Sequence, residues 1–535
     1  MNPVTPSAPS DSSDSALAPR PRALRPVPLS EIAAALGAEL RGDAAAAVTG
    51  ITLDSRAVRE GDLYCALGGA RAHGADFAEQ AARAGACAAL TDPGGADRCI
   101  AAGLPVLVVD DPRAATAPAS SLVWGDPASD LTVIGVTGTN GKTSITTMLH
   151  RTLVELGRGS GVIGTSGTEL IAPDGRVERI ATVRTTPEAP EVHGILSRMR
   201  EEGVQVVSME VSSHAMVLHR ADSIAFDTVC FTNLSQDHLD FHADMDDYFA
   251  AKAMLFDASR ARRAVICVDD AWGRALASRT DVPALTYATL EGVDADVRAV
   301  DLRPGADGGI GTRFVLERRT DGTDRVERHE LVSPLPGRHY VANTVAVALI
   351  LESIGIAIEV AAPAIARAAV VPGRMELAVS GTVRGIVDYS HTEDALHQAL
   401  ATVRALPGTA RVISVMGAGG DRDRRKRPLM GAAAARLADV VIVTDDNPRT
   451  EDPAAIRAAV LAGARDAGSA AEIIEIGDRA AAIAHAAAIA RPGDVVLVSG
   501  KGAETGQDVN GTILPFDDRI QLRAALDAGR AGEEH

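Results

Sequence analysis

The run LTVIGVTGTNGKTSITTMLHRTLVEL, residues 131–156, passes from an apolar stretch through a glycine-rich turn into a segment of helical spacing. LTVIGV is the pattern of a strand buried on both faces, and KTSITTMLHRTLVEL that of a helix. Between them, glycines let backbone N–H groups approach a phosphate, and the helix N-terminus adds positive potential. Lys142 is placed to reach terminal phosphates and the Thr143 hydroxyl to meet Mg²⁺. The nucleotide-binding set read from this loop is Gly138, Thr139, Asn140, Gly141, Lys142, Thr143 and Ser144. The spacing departs from the usual phosphate loop: that pattern wants glycine at 136, where Val136 stands, and the glycines fall at 135 and 138. No NKxD follows, which favours ATP over GTP.

Outward from this loop the chain repeats the strand–loop–helix scheme. Apolar runs recur at VQVVSMEV, FDTVCFT and RAVICV, and again beyond residue 372 at RVISVM, DVVIVT, EIIEI and DVVLVS, the later ones alternating with alanine-rich helical segments. Such alternation predicts an α/β fold with mostly parallel sheets and a doubly wound C-terminal unit. Polar motifs stand at strand ends, where open α/β sheets bind ligands. GTNGKT, Glu210, Asn233 with His238, GAGGDRD, DDNPR and GKGAE all occupy such places, which suggests two sheets whose loops share one cleft. The expected organisation is a disordered tail (1–26), a mixed α/β domain (27–130), a central nucleotide-binding domain (131–371) and a C-terminal Rossmann-like domain (372–535).

Composition bounds the partners. A chain of 535 residues with 46% hydrophobic content can bury a large core. Aromatic residues make up only 3%, and the net charge is −18. Both features argue against nucleic-acid binding and against attachment to anionic membranes. No apolar run is long enough to suggest a membrane span. Five scattered cysteines without a CxxC pair argue for reduced thiols and a cytoplasmic protein. The first 25 or so residues, rich in Pro, Ser and Ala, lack the apolar stretch of a secretory signal.

Only four lysines remain beside 49 arginines: Lys142, Lys252, Lys426 and Lys501. An ammonium is a compact point charge and a latent nucleophile, whereas guanidinium is a planar fork. Three of the four lie in glycine-rich segments at strand ends. Lys252, in YFAAKAMLF, looks by itself like an ordinary helix lysine. Mg²⁺ takes oxygen ligands, and Glu210, closing a buried strand, is the natural carboxylate near Thr143. His238, in TNLSQDHLDFH, could ligate a second ion or belong to a structural network.

Taken together, these motifs resemble the Mur ligase family of ATP-dependent peptidoglycan precursor synthases, over nearly the whole chain from DSRAVREGDLYCAL to the terminal FDDR. The resemblance implies three domains, one for the UDP end of the substrate, a central ATPase and a closing C-terminal domain. It implies a catalytic set of Lys142, Glu210, His238 and Lys252, with Thr143, Glu210, His238 and Lys252 holding Mg²⁺ and Lys252 carbamylated by CO₂ to N6-carboxylysine. Asn343, Arg374, Asp388 and His391 would complete the ATP site. Ser55, Thr185, Thr186, Ser212 and Arg220 would hold a UDP-muramoyl-dipeptide. Arg422, Asp446, Asn447, Arg449, Gly500 and Glu504 would receive the acceptor. DNPR is the family's mark of meso-diaminopimelate, whose extra carboxylate calls for a bidentate guanidinium at Arg449.

The implied reaction is amide formation at the D-glutamate side-chain carboxylate through an acyl phosphate, by a chain expected to act as a monomer. Lys426 and Lys501 are expected to guide phosphate or carboxylate groups from the closing domain. Three positions depart from the family's usual residues: Ser390 and Glu393 in DYSHTED, and Ala503 in GKGAE. Three alternatives stay open. The acceptor could be L-lysine or another diamino acid, the enzyme could be a folylpolyglutamate synthase, and the chain could be a noncatalytic nucleotide-binding module. The DSR-containing first domain and EVSSH speak against the second.

Overall fold

The computed structural model describes residues 20–23, 25–69, 71–182, 184–305, 310–319, 326–368 and 371–533. Three sheets dominate. The first has five strands in the order Glu39–Arg41, Val106–Val108, Ala86–Thr91, Asp62–Ala66, Gly50–Thr52, parallel except for the Glu39–Arg41 edge. The central sheet has eleven strands. Its parallel body runs Ser160–Gly164, Val206–Glu210, Thr132–Thr137, Thr228–Phe231, Ala264–Cys267, Ala284–Ala288 and Val297–Pro304, with antiparallel strands added at both edges. The third sheet is parallel through Arg384–Asp388, Val495–Ser499, Val412–Met416, Val440–Val443 and Glu472–Glu475, and Glu376–Val379 is its antiparallel edge.

This is the α/β, mostly parallel architecture that the alternating apolar runs predict. The strand Thr132–Thr137 is buried along nearly its whole length, and its neighbours on both sides are parallel strands, so both of its faces must be apolar. Helix Lys142–Glu155 starts directly behind Gly141, whose φ of 91° turns the chain out of the strand. Aspartates cap several other helices, among them Asp452 before Pro453–Asp466 and Asp478 before Arg479–Ile489. Ile134 and Ile145 share one apolar cluster with Tyr340, Val345, Leu396 and Leu400, so helices Arg338–Ser353 and Glu393–Ala405 pack into a common core.

The tail differs from its expected extent. Residues 1–19 and 24 lie outside the described residues, but Arg20 is docked. Its guanidinium pairs with both oxygens of fully buried Asp62, at 2.6 and 2.5 Å. The backbone N–H groups of Arg22 and Ala23 donate to Glu201 at 2.8 Å. One ion pair leaves no trace in a Pro- and Ser-rich composition.

Helix Ala189–Glu201 carries a titratable group with a consequence for acid stability. His193 is fully buried; its Nε2 faces the Asp222 carbonyl at 3.1 Å, and its Nδ1 has no hydrogen-bond partner. Burial pushes its pKa down to about 4, against a smaller opposing pull from the Asp222 carbonyl. An unfolded His takes a proton near pH 6.5. Between pH 6.5 and 4 the unfolded chain therefore binds a proton that the fold refuses, and stability falls as pH falls, levelling below 4. The full loss is about 3 kcal/mol. Melting curves of wild type and His193→Leu across this window should show a shallower acid decline in the variant; parallel declines would contradict the assignment.

Candidate active site

Three adjacent strand ends of the central sheet build the floor. Gly138, with φ of 142°, lies so close to Thr232 and Asn233 that any side chain there would collide with them. The loop is held to the next strand end by N–H donation from Asn140 to Asn233 Oδ1 at 3.0 Å and from the Thr232 hydroxyl to the Asn140 carbonyl at 2.6 Å. The shifted glycine spacing is thus matched to this packing. Thr143 donates its hydroxyl to Glu210 Oε1 at 2.9 Å, and the Thr165 N–H donates to the same oxygen at 2.8 Å.

Two lysines meet at this loop. Lys142 Nζ donates to the carbonyls of Gly138 and Thr139, both at 2.9 Å, and Lys252 Nζ donates to the Gly138 carbonyl at 2.8 Å. Lys252 is 1% exposed and lies 4.6 Å from the Tyr248 ring centroid. Burial first, and then the neighbouring Lys142, hold its pKa well below the usual lysine value, against the pull of Asp237. The helix Met245–Ala253 delivers it, so the ordinary-looking helix turn ends at the phosphate loop.

His238 adopts a left-handed φ of 55°. Its side chain is 41% accessible but sits deep between the cleft walls, and burial there lowers its pKa to about 4 despite Asp237. The imidazole is therefore neutral at pH 7. Asp237 is held down at about 2: burial alone would raise it, and His238 and His391, protonated in the acid range where Asp237 titrates, outweigh that together with Lys426. A small polar network steadies this loop, with His242 Nε2 at 2.9 Å from Ser213 Oγ and its Nδ1 at 3.2 Å from Asp247.

A cavity of about 810 Å³ opens above the floor. The sequence-predicted residues Thr139 to Ser144, Thr185, Glu210, Ser212, His238, Lys252, Asn343, Arg374, Asp388 and His391 all line it. Arg374, from the C-terminal side, donates to Thr143 Oγ1 at 3.1 Å. Asp388 accepts from the Met375 N–H at 2.7 Å and from the Ser390 N–H at 2.9 Å. Ser390 also bonds Asp388 through its hydroxyl, so this departure reinforces the turn. Glu393 is exposed and outside the cavity, whereas Asp394 faces Asn140 at 3.4 Å.

Among the described residues no group of three or more His, Cys, Asp or Glu is arranged for a metal ion. The Thr143 hydroxyl and Glu210 carboxylate nevertheless fit Mg²⁺, which needs one or two protein oxygens and takes the rest from phosphate and water.

A second cavity, of about 860 Å³, lies where the first domain meets the central one; Ser55 lines it, together with Arg20, Arg56, Arg59 and Arg113. Residues 184–188 form the partition between the two cavities, with Arg184 and Glu188 on one side and Thr185 on the other. Glu188 is gripped by Arg113 at 2.8 Å and Arg220 at 2.9 Å. Thr186 and Arg220 line neither cavity; Thr186 is fully buried and donates to the Glu210 carbonyl at 2.8 Å.

The six acceptor candidates form a third cluster, at the strand ends of the C-terminal sheet. A side chain at Gly419 would meet Nη1 of Arg449 at 3.0 Å and Cγ of Arg422 at 3.9 Å, so these two arginines converge there. Gly500, with φ of 117°, backs directly onto Asp446 Oδ2. Asn447 Nδ2 donates to Glu504 Oε2 at 2.9 Å. Lys501 is fully buried and donates to Asn447 and Glu504, which removes it from direct contact with phosphate.

Tyr389 joins this cluster to the cavity. Arg374 lies 4.1 Å over its ring. Burial raises its hydroxyl pKa to about 12, with Glu504, Asp446 and Glu210 adding to the rise and Arg374 opposing it. Tyr389, Asp237, Thr165 and Arg20 are the residues that sequence reasoning missed. Asp237 stands beside His238 and Tyr389 stands inside DYSHTED, so both had a signal in the sequence; Thr165 and Arg20 carry no motif.

The chain matches family profiles described as Mur ligase family, catalytic domain (residues 47–122), Mur ligase middle domain (136–351) and Mur ligase, glutamate ligase domain (373–502). It is 48% identical over 511 residues to the UDP-N-acetylmuramoyl-L-alanyl-D-glutamate--2,6-diaminopimelate ligase of Streptomyces avermitilis, covering 95% of this chain and 98% of that one. It is 42% identical to the UDP-N-acetylmuramyl-tripeptide synthetase of Leifsonia xyli subsp. xyli, again over 95% and 98%. A solved UDP-N-acetylmuramoyl-L-alanyl-D-glutamate--2,6-diaminopimelate ligase superposes with a TM-score of 0.64 at 30% identity, covering 96% of this chain and all of that chain.

Proposed function

The chain belongs to the Mur ligase family, and from that premise we propose that it is an ATP-dependent peptide ligase joining meso-diaminopimelate to the D-glutamate side chain of UDP-N-acetylmuramoyl-L-Ala-D-Glu. The observation that carries the reading is the partition at residues 184–188. A UDP-sugar held among the arginines of the second cavity can pass its peptide over Thr185 to reach Lys142 and Glu210. A folate substrate would have no use for the second cavity.

In this reading ATP lies across the phosphate loop with its γ-phosphoryl toward Lys142 and Arg374. These two cations neutralise charge as the substrate carboxylate oxygen bonds to phosphorus and ADP leaves, giving an acyl phosphate. The acceptor amine then attacks the acyl carbon, phosphate departs, and the amine proton is lost. Mg²⁺, when bound, would supply charge neutralisation for the phosphates, and Thr143, Glu210, His238 and a carbamylated Lys252 would hold it. The buried, neutral-leaning amine of Lys252 supports the carbamate, since only an unprotonated amine combines with CO₂. Ser55 and Arg220 belong to the UDP-muramoyl-dipeptide path, with Arg220 acting through Glu188 and Thr186.

The test supplies ATP, UDP-muramoyl-dipeptide and either meso-diaminopimelate or L-lysine, and follows phosphate release and product mass. Acceptor-dependent phosphate release and a tripeptide product with meso-diaminopimelate are expected. Preference for L-lysine would overturn the acceptor assignment, and nucleotide binding without amide formation would overturn the enzyme.

A further inference from the structure

The cluster around Lys501 has a hydrogen-bond order that fixes two neighbouring side chains. Lys501 follows the strand Val495–Ser499 and is fully buried. Its ammonium donates to Asn447 Oδ1 at 3.0 Å and to Glu504 Oε2 at 3.1 Å. Asn447 is pinned at both ends of its amide. Its Oδ1 also accepts from the Asp508 N–H at 2.9 Å, and its Nδ2 donates to Glu504 Oε2 at 2.9 Å.

An amide can be turned over, exchanging oxygen for nitrogen. Here only one orientation pairs the oxygen with two donors and the nitrogen with a carboxylate, and Lys501 is one of those donors. The Glu504 carboxylate is held by its Oε2 alone, from Lys501 and Asn447, and its side chain remains 39% exposed. Its Oε1 makes no hydrogen bond among the described residues, and the carboxylate is near enough to Tyr389 for its charge to act on that hydroxyl.

We propose that Lys501 is a positioning residue for the acceptor amino acid, acting by holding Asn447 and Glu504 in the one arrangement that presents a carboxylate to the acceptor's ammonium group. The proposal rests on the ligase reading above. Lys501 itself touches no ligand in this scheme. An arginine would not serve, because its planar fork cannot bring one compact donor to both oxygens in the space that fully buried Lys501 fills. This accounts for a lysine at 501 in a chain that otherwise uses arginine for its cations.

The experiment measures KM for ATP, UDP-muramoyl-dipeptide and meso-diaminopimelate in wild type, Lys501→Met, Lys501→Arg, Glu504→Gln and the Lys501→Met/Glu504→Gln double variant. Both Lys501 variants should raise the acceptor KM by about tenfold or more, as expected for lost charge-assisted hydrogen bonds. The other two KM values should stay within about twofold, because those ligands lie away from Asn447 and Glu504. The double variant should be no worse than Glu504→Gln alone, because the two residues act as one unit. ADP formed in a single turnover without acceptor should match wild type in the two Lys501 variants.

An equal rise in all three KM values, or additive effects in the double variant, would overturn the positioning role. Failure of both Lys501 variants to fold, read by circular dichroism, would make the residue structural and equally overturn it. If wild type itself forms no amide in this assay, the ligase reading falls and the proposal falls with it. An active wild type with an unmoved acceptor KM in the variants defeats the proposal alone.

Discussion

Lys252→Ala is expected to lower kcat by about 10³-fold, the scale on which a preorganised electrostatic group acts in a transition state, while leaving the protein folded. Lys252 is 1% exposed, with its pKa pushed down by burial and by Lys142. A group whose folded pKa is depressed is one that the fold prefers uncharged. Replacing it by alanine removes a group whose charge the fold disfavours, so the melting temperature should move little compared with the loss of rate. If the amine carries a carbamate, removal of bicarbonate from the wild type should slow it, and re-addition should restore it. Short carboxylates such as acetate should partly rescue Lys252→Ala, because they return an oxygen donor to the space. Chloride should not. Lys252→Arg should resist rescue, since guanidinium fills the space and forms no carbamate under these conditions. Full activity in Lys252→Ala, or rescue by chloride as strong as by acetate, would refute the role.

The legible part of this molecule is its backbone plan and the phosphate loop. Apolar runs such as Thr132–Thr137 and Val495–Ser499 are buried from both faces, so the sequence must spell them out in Val, Ile and Leu. Lys142 follows from loop chemistry in the same direct way. Lys252 does not. The Met245–Ala253 helix carries no glycine or phosphate signature, and its value comes from where the chain folds it, against the Gly138 carbonyl. Arg374 shows the same limit, because it acts across a domain boundary, reaching Thr143. Local pattern encodes strands and turns, whereas such contacts depend on how distant elements pack. The departures from family pattern are readable only in three dimensions. Glu393 faces away from the cavity, and Ser390 bonds Asp388.

Arg449→Ala should lower kcat/KM for meso-diaminopimelate by about 10² to 10³-fold, the cost expected on truncating one partner of a desolvated charge pair, with little change for L-lysine. The two acceptors differ at the distal carbon, where only diaminopimelate bears a carboxylate, so an arginine that reads that group should discriminate between them. The structure gives Arg449 an unusual backbone for the task. Its φ is 51°, a conformation costly for a side chain of this size. It is held there by its N–H donating to the Asp508 carbonyl at 3.0 Å and its carbonyl accepting from Asn510 at 2.8 Å. Nη1 is anchored on the Gly420 carbonyl at 2.6 Å, beside Arg422 across Gly419. That anchor fixes the plane of the fork, and bidentate recognition requires a fixed plane. Arg449→Lys should fall between wild type and Arg449→Ala, because it keeps the charge and loses the fork. Alanine also relieves little of the strain, since it too disfavours positive φ, so the loss should appear in acceptor kinetics and not as a gain in stability. Equal losses with diaminopimelate and lysine would show that Arg449 supports the loop without reading the carboxylate. Selection would then have to come from Arg422.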